Sequence, residues 1–103
     1  MNNIERKIIA IGGGGFTHQL DESLDQFVID QSKKPKNKIG FLATASKDDE
    51  NKKNLFYKRY QNTKSELSHF NLTSATDGFS EWILNKDIIY IGGGNTVFML
   101  NIW

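Results

Sequence analysis

The stretch Ile88-Ile89-Tyr90-Ile91-Gly92-Gly93-Gly94-Asn95-Thr96 decides the fold. Four consecutive apolar residues without alternation mark a strand buried on both faces, as in a parallel sheet. Three glycines then turn the chain sharply, and Asn95 with Thr96 supplies cap chemistry for a helix whose apolar residues continue to Trp103. The same device stands eighty positions earlier as Ile8-Ile9-Ala10-Ile11-Gly12-Gly13-Gly14, with Gly15 extending the turn. Two strands that end in the same turn are expected to end at the same rim of one sheet. In open α/β sheets ligands bind outside the carboxyl ends of the strands, so the two glycine turns are the expected walls of a site.

Between these anchors strands and helices alternate. Lys7-Ile8-Ile9-Ala10-Ile11 reads as the first strand. A helix follows from Leu20, with Leu20, Leu24, Phe27, Val28 and Gln31 on one face. Asp21, Glu22 and Asp25 come early, Lys33 and Lys34 late, matching the helix dipole, and Pro35 marks the stop. Lys38-Ile39-Gly40-Phe41-Leu42 is the second strand, and Ala43-Thr44-Ala45-Ser46 leads into a helix that runs to about Asn62. Ser46 and Asp49 have capping-box spacing, with Asp in place of Glu or Gln. Residues 47–64 carry six basic and three acidic side chains with Phe56, Tyr57 and Tyr60 interleaved. That spacing reads as a solvated helix burying Leu55, Phe56 and Tyr60 rather than as a nucleic-acid face. Residues 66–72 alternate in part and read as a third strand, 73–78 as a polar loop, and Phe79, Trp82 and Ile83 as a short helical patch. The order βαβαβαβα gives the α/β class: a mainly parallel sheet with helices on both faces.

Composition narrows the function. The chain has 103 residues, 38% hydrophobic and 24% charged, enough for one modest core and one domain. Thirteen basic against twelve acidic residues leave a net charge of +1, which argues against a nucleic-acid partner. The absence of cysteine removes disulfides, thiolate metal sites and a cysteine nucleophile. The longest apolar run is far short of the ~20 residues that span a bilayer, and no secretory pattern opens the chain, so a cytoplasmic protein without a membrane partner is expected.

The sharpest site candidate is the turn at residues 92–96. Its glycines expose backbone N–H groups at a helix start, an arrangement that suits an oxyanion or carboxylate. Asn95 would cap the helix or bond a substrate; the plain alternative is a glycine turn with an Asn cap. The run at residues 12–17 invites a dinucleotide reading but fails on detail. Thr17 stands where G-x-G-x-x-G needs a third glycine or small residue, and no acid follows the second strand at the ribose-contact position. A non-enzymatic Rossmann-like module binding a nucleotide or phosphate there is the rival from another class. His18 and His69, the only histidines, lack metal-ligand partners, so no metal and no cofactor is expected.

The segments 8–16, Phe41-Leu42-Ala43-Thr44-Ala45-Ser46, and 88–96 with Met99, Leu100 and Trp103 together resemble the peptidase E family. These are bacterial serine peptidases related to aspartyl dipeptidase and cyanophycinase, within the flavodoxin-like, class I glutamine-amidotransferase-like fold. The resemblance implies a serine hydrolase of short peptides, with an N-terminal aspartate preferred in the best-known branch. It implies a nucleophile on a G-x-S-A-G elbow and an oxyanion hole that pairs an N–H there with one from the glycine turn. Gly94 is the matching donor, with Gly93 and Asn95 beside it at the substrate. No G-x-S-x-G occurs in the 103 residues, and neither Ser46, His18 nor His69 takes the nucleophile or base role. The last helix reaches an apolar Trp103 with no glycine cap, basic turn or polar tail. Residues 1–103 are therefore expected to be the N-terminal part of a single domain of about two hundred residues, incomplete and truncated before the nucleophile. Such a piece would be inactive alone and prone to self-associate through its uncovered apolar surface, either as a homodimer that covers it or as an aggregate; a half-domain acting only by association is the third reading.

Overall fold

The computed structural model describes residues 6–11, 23–32, 34–61 and 63–103. In chain order they form α1 (Ser23–Asp30), β1 (Lys38–Leu42), a 3-10 turn (Thr44–Ser46), α2 (Glu50–Tyr60), β2 (Glu66–His69), α3 (Phe79–Leu84), β3 (Ile88–Ile91) and α4 (Thr96–Ile102). The three strands make a parallel sheet in the order β2-β1-β3. Ile39 lies opposite Leu67 and Ile88, and Phe41 opposite His69 and Tyr90. Because side chains alternate along a strand, Ile39 and Phe41 face one way and Gly40 and Leu42 the other.

Ile39, Phe41, Ala43, Phe56 and Tyr60 are the buried cluster between the sheet and α2, with Ile29, Leu67, Ile88 and Tyr90 packed around it. Phe41 and Phe56 stack at 5.0 Å between centroids. On the opposite face α3 lays Trp82 directly over Gly40, where a Cβ would stand 2.6 Å from the indole. The Trp82 Nε1–H donates to Ser68 Oγ at 3.1 Å, which ties the indole to β2. Helices on both faces of a parallel sheet confirm the α/β class.

A buried charge pair ties α1 to α2: Arg59 Nη1 donates to Asp25 Oδ2 at 2.5 Å, and Tyr60 Oη to Asp25 Oδ1 at 2.9 Å. Burial, reinforced by the Asp25 carboxylate, pushes the Tyr60 hydroxyl pKa far above its usual range. At the start of β3, Asp87 accepts from the Lys38 N–H at 2.8 Å and from Lys34 Nζ at 2.5 Å.

Several expectations are corrected. Residues 6–11 form no strand: Ile8 is 99% exposed, and the segment runs beside β3 across a cleft lined by Lys7, Ile9, Ile11 and residues 87–91. An apolar run makes a strand only where its backbone bonds a partner's; β3 keeps a free outer edge in the order β2-β1-β3, but the cleft separates residues 6–11 from it. On α1 the buried residues are Asp25 and Val28, whereas Leu24 is 37% and Phe27 51% exposed. The cap of α2 is Asp49 rather than Ser46: the Asp49 carboxylate accepts from the Lys52 N–H at 3.1 Å. Leu55 lies on the exposed face of that helix, which ends at Tyr60, and β2 stops at His69. No helix among the described residues is long and apolar enough to cross a membrane.

Candidate functional site

Parallel strands bring their carboxyl ends to one rim. There β1 passes through Ala43 into the 3-10 turn, whose exit places Lys47 and Asp48 in left-handed conformation at φ 56° and 57°. Two such residues in succession, neither of them glycine, are held by Lys47 N–H to Thr44 O at 2.9 Å and Asp48 N–H to Ala43 O at 3.0 Å. The Asp48 carboxylate also takes the Thr73 N–H at 2.9 Å and the Thr73 hydroxyl, which fastens this turn to the loop after β2.

The glycine turn after β3 is fastened to the same 3-10 turn. Gly92 N–H donates to Leu42 O at 3.0 Å, Asn95 N–H to Ala45 O at 2.7 Å, and Ser46 Oγ–H to Gly93 O at 2.8 Å. Lys52 Nζ reaches over from α2, donating to Ser46 Oγ at 2.7 Å and to Gly93 O at 3.4 Å. Gly94 has φ +148°, and a Cβ there would lie 2.7 Å from the Ala45 carbonyl carbon. Only glycine tolerates both that dihedral and that approach. Gly93 and Gly94 are exposed, and among the described residues their N–H groups have no hydrogen-bond partner. Asn95 Oδ1 accepts the Phe98 N–H at 3.0 Å, so its oxygen caps α4.

The other candidates lie apart. Gly93 lines a cleft of about 420 Å³ with Ile11, Val28, Ser32, Ile88 and Tyr90, so the segment leading to the first glycine run and the second glycine turn border one cleft. Residues 12–17 and His18 themselves fall outside the described residues. His69 Nδ1 bonds Tyr57 Oη at 2.6 Å, on the α2 side of the sheet. Burial first, and then the nearby Lys53 charge, pull the His69 imidazole below its ordinary pKa. No group of three metal-ligating side chains occurs among the described residues.

Sequence reasoning missed Ser46 and Lys52 as partners of the glycine turn. The spacing from Ser46 to Asp49 pointed the hydroxyl toward a helix cap, and nothing local announces a carbonyl 47 positions away.

The sequence model of Peptidase family S51 matches residues 8–103. The chain is 40% identical over 100 residues to the uncharacterized peptidase YgaJ of Bacillus subtilis (strain 168), a match covering 95% of this chain and 44% of that relative. The chain thus spans less than half the length of the curated relative it matches. No solved structure matches it.

Proposed function

Since the chain belongs to peptidase family S51, we propose that it carries the oxyanion-binding part of a serine-peptidase site for short peptides, acting in the cytoplasm. The observation behind this reading is the pair of unpartnered N–H groups of Gly93 and Gly94, on a turn tied at Gly92, Gly93 and Asn95 to the neighbouring loop. When a nucleophile adds to a scissile carbonyl, negative charge develops on its oxygen. Donors already fixed around that position stabilise the transition state without reorganising, at about 2.7–4 kcal/mol for one donor. Gly94 is the donor, Gly93 and Asn95 flank the peptide, and aspartyl dipeptides are the substrates the resemblance favours.

No G-x-S-x-G occurs in the 103 residues, so none of their serines matches the nucleophile that the resemblance implies. Ser46 does not stand in for the nucleophile, because its proton is directed at the Gly93 carbonyl, which cannot serve as a base. A site without its nucleophile keeps only binding contributions. The ¹⁵N-labelled chain titrated with an Asp-Leu dipeptide, and with aspartate as the product carboxylate, should shift the Gly93 and Gly94 amide protons downfield. It should neither cleave the dipeptide nor react with a fluorophosphonate serine probe. Unmoved glycine amides would refute the oxyanion reading, and stoichiometric labelling of any serine in the chain would refute the assignment of the nucleophile elsewhere.

A further inference from the structure

We propose that Ser46 and Lys52 are positioning residues that hold the Gly93 carbonyl and thereby aim the Gly94 N–H outward from the rim. The purpose of this device rests on the oxyanion reading of Gly94, while the anchoring itself rests on geometry alone.

A trans peptide unit is planar, so the carbonyl of one residue and the N–H of the next point in opposite directions from one rigid plate. Holding Gly93 O therefore sets the direction of Gly94 N–H. The plate between Gly93 and Gly94 is flanked by glycine on both sides, where sterics resist rotation least. Were it to turn over, a carbonyl oxygen would face the oxyanion and repel the charge it is meant to stabilise. Such a turn needs an external lock, and the lock is visible. Ser46 Oγ–H donates to Gly93 O at 2.8 Å, with Lys52 Nζ on the same oxygen at 3.4 Å.

The two side chains act together. A hydroxyl has one proton, and Lys52 Nζ donates into a lone pair of Ser46 Oγ at 2.7 Å, which leaves the Ser46 proton for the Gly93 carbonyl. Each is placed by backbone structure. Ser46 N–H is bound to Ala43 O at 3.0 Å within the 3-10 turn, and Lys52 sits in the first turn of α2, whose Asp49 cap takes its N–H. Beyond Gly94, the Asn95 N–H to Ala45 O bond fixes the other side of the residue. Bonds linked to a charge are about twice as strong as neutral ones, and polarising a carbonyl strengthens the N–H on the far side of the same peptide. The pair therefore orients the donor and makes it a better one.

The test compares ¹⁵N-labelled Ser46→Ala, Ser46→Thr and Lys52→Met with the parent chain. The amide nitrogen of Gly94 senses whether the preceding carbonyl accepts a hydrogen bond, a readout that simple loss of packing does not move. Ser46→Ala is expected to shift that nitrogen and weaken the Asp-Leu titration at Gly94 about tenfold, the loss of one charge-linked hydrogen bond. Ser46→Thr, which keeps the hydroxyl, restores both. Unchanged amides of Phe41, Phe56 and Tyr60 show that the fold persists, and Lys52→Met makes the same comparison with Ser46 in place should Ser46→Ala fail to fold. An unshifted Gly94 nitrogen in Ser46→Ala, or equal loss in the alanine and threonine variants, overturns the proposal. A parent chain whose Gly94 ignores the dipeptide counts against the oxyanion reading alone, because the nitrogen shift still decides the anchoring.

Discussion

Gly94→Ala and Gly93→Ala, one residue apart, should have very unequal consequences. At Gly94 the backbone has φ +148°, and a Cβ would stand 2.7 Å from the Ala45 carbonyl carbon and 3.0 Å from Ser46 Oγ. Neither obstacle yields easily. The Ala45 carbonyl is backbone and receives the Asn95 N–H at 2.7 Å, so relief requires rotating φ or prising the two turns apart. A residue held in a glycine-only region costs about 1–3 kcal/mol, overpacking costs a similar amount, and a lost hydrogen bond costs about 1. One displacement relieves the first two together, so the terms do not add fully and roughly 2–3 kcal/mol is expected. At Gly93 nothing lies within 4 Å of where a Cβ would stand, and φ is outside the left-handed range. That substitution should stay within about 0.5 kcal/mol, or stabilise slightly by restricting the unfolded chain. With a urea m-value of about 1–3 kcal/mol/M, Gly94→Ala should lower the unfolding midpoint by roughly 0.7–3 M and Gly93→Ala should leave it in place. Equal midpoints for the two variants would refute the close fit of the glycine turn against the 3-10 turn.

Asp25→Asn is expected to cost about 1–3 kcal/mol in urea unfolding, because it replaces the buried carboxylate that accepts from both Arg59 and Tyr60 by a neutral amide; a loss below about 0.5 kcal/mol would show that the pair does not tie α1 to α2. The lowered pKa of His69 means that the fold prefers the neutral ring and the unfolded chain protonates first. Its contribution is present above the unfolded value of about 6.5 and lost as pH falls through the folded one. His69→Gln should therefore flatten that part of the stability profile, and an unchanged profile would place the pH dependence elsewhere. Val97, Leu100 and Trp103 are 70%, 61% and 51% exposed, a concentration of apolar surface on α4 that favours self-association. Sedimentation at micromolar concentration should show a species larger than 11.7 kDa, and a single monomer boundary would contradict this.

The parts of the fold legible in the sequence were those set by short-range pattern. The apolar runs at 39–42 and 88–91 became the bodies of β1 and β3 because parallel strands need no polar face. The run at 7–11 carries the same pattern and stayed unpaired beside the free edge of β3, since periodicity reports readiness for burial and does not by itself bring two backbones into pairing distance. On α1 the apolar spacing pointed to Leu24 and Phe27, yet Asp25 turned inward. Its partners Arg59 and Tyr60 lie 34 and 35 positions away, and their combined hydrogen bonds outweighed the apolar stripe.

The site divides along the same line. Glycine at 94 was legible because the turn demands a residue without a Cβ, a requirement local to the backbone. The hydroxyl of Ser46 was not, because two uses competed for it: the N–H of a residue three positions on, or a carbonyl in another loop. Asp49 could cap α2 unaided, as its bond to the Lys52 N–H shows, and this released Ser46 to reach Gly93. The cap and the anchor are thus one arrangement: the carboxylate that starts α2 also places Lys52, and Lys52 directs the proton of Ser46 at the carbonyl behind Gly94. A substitution at Asp49 should therefore be felt at the glycine turn as well as in the helix.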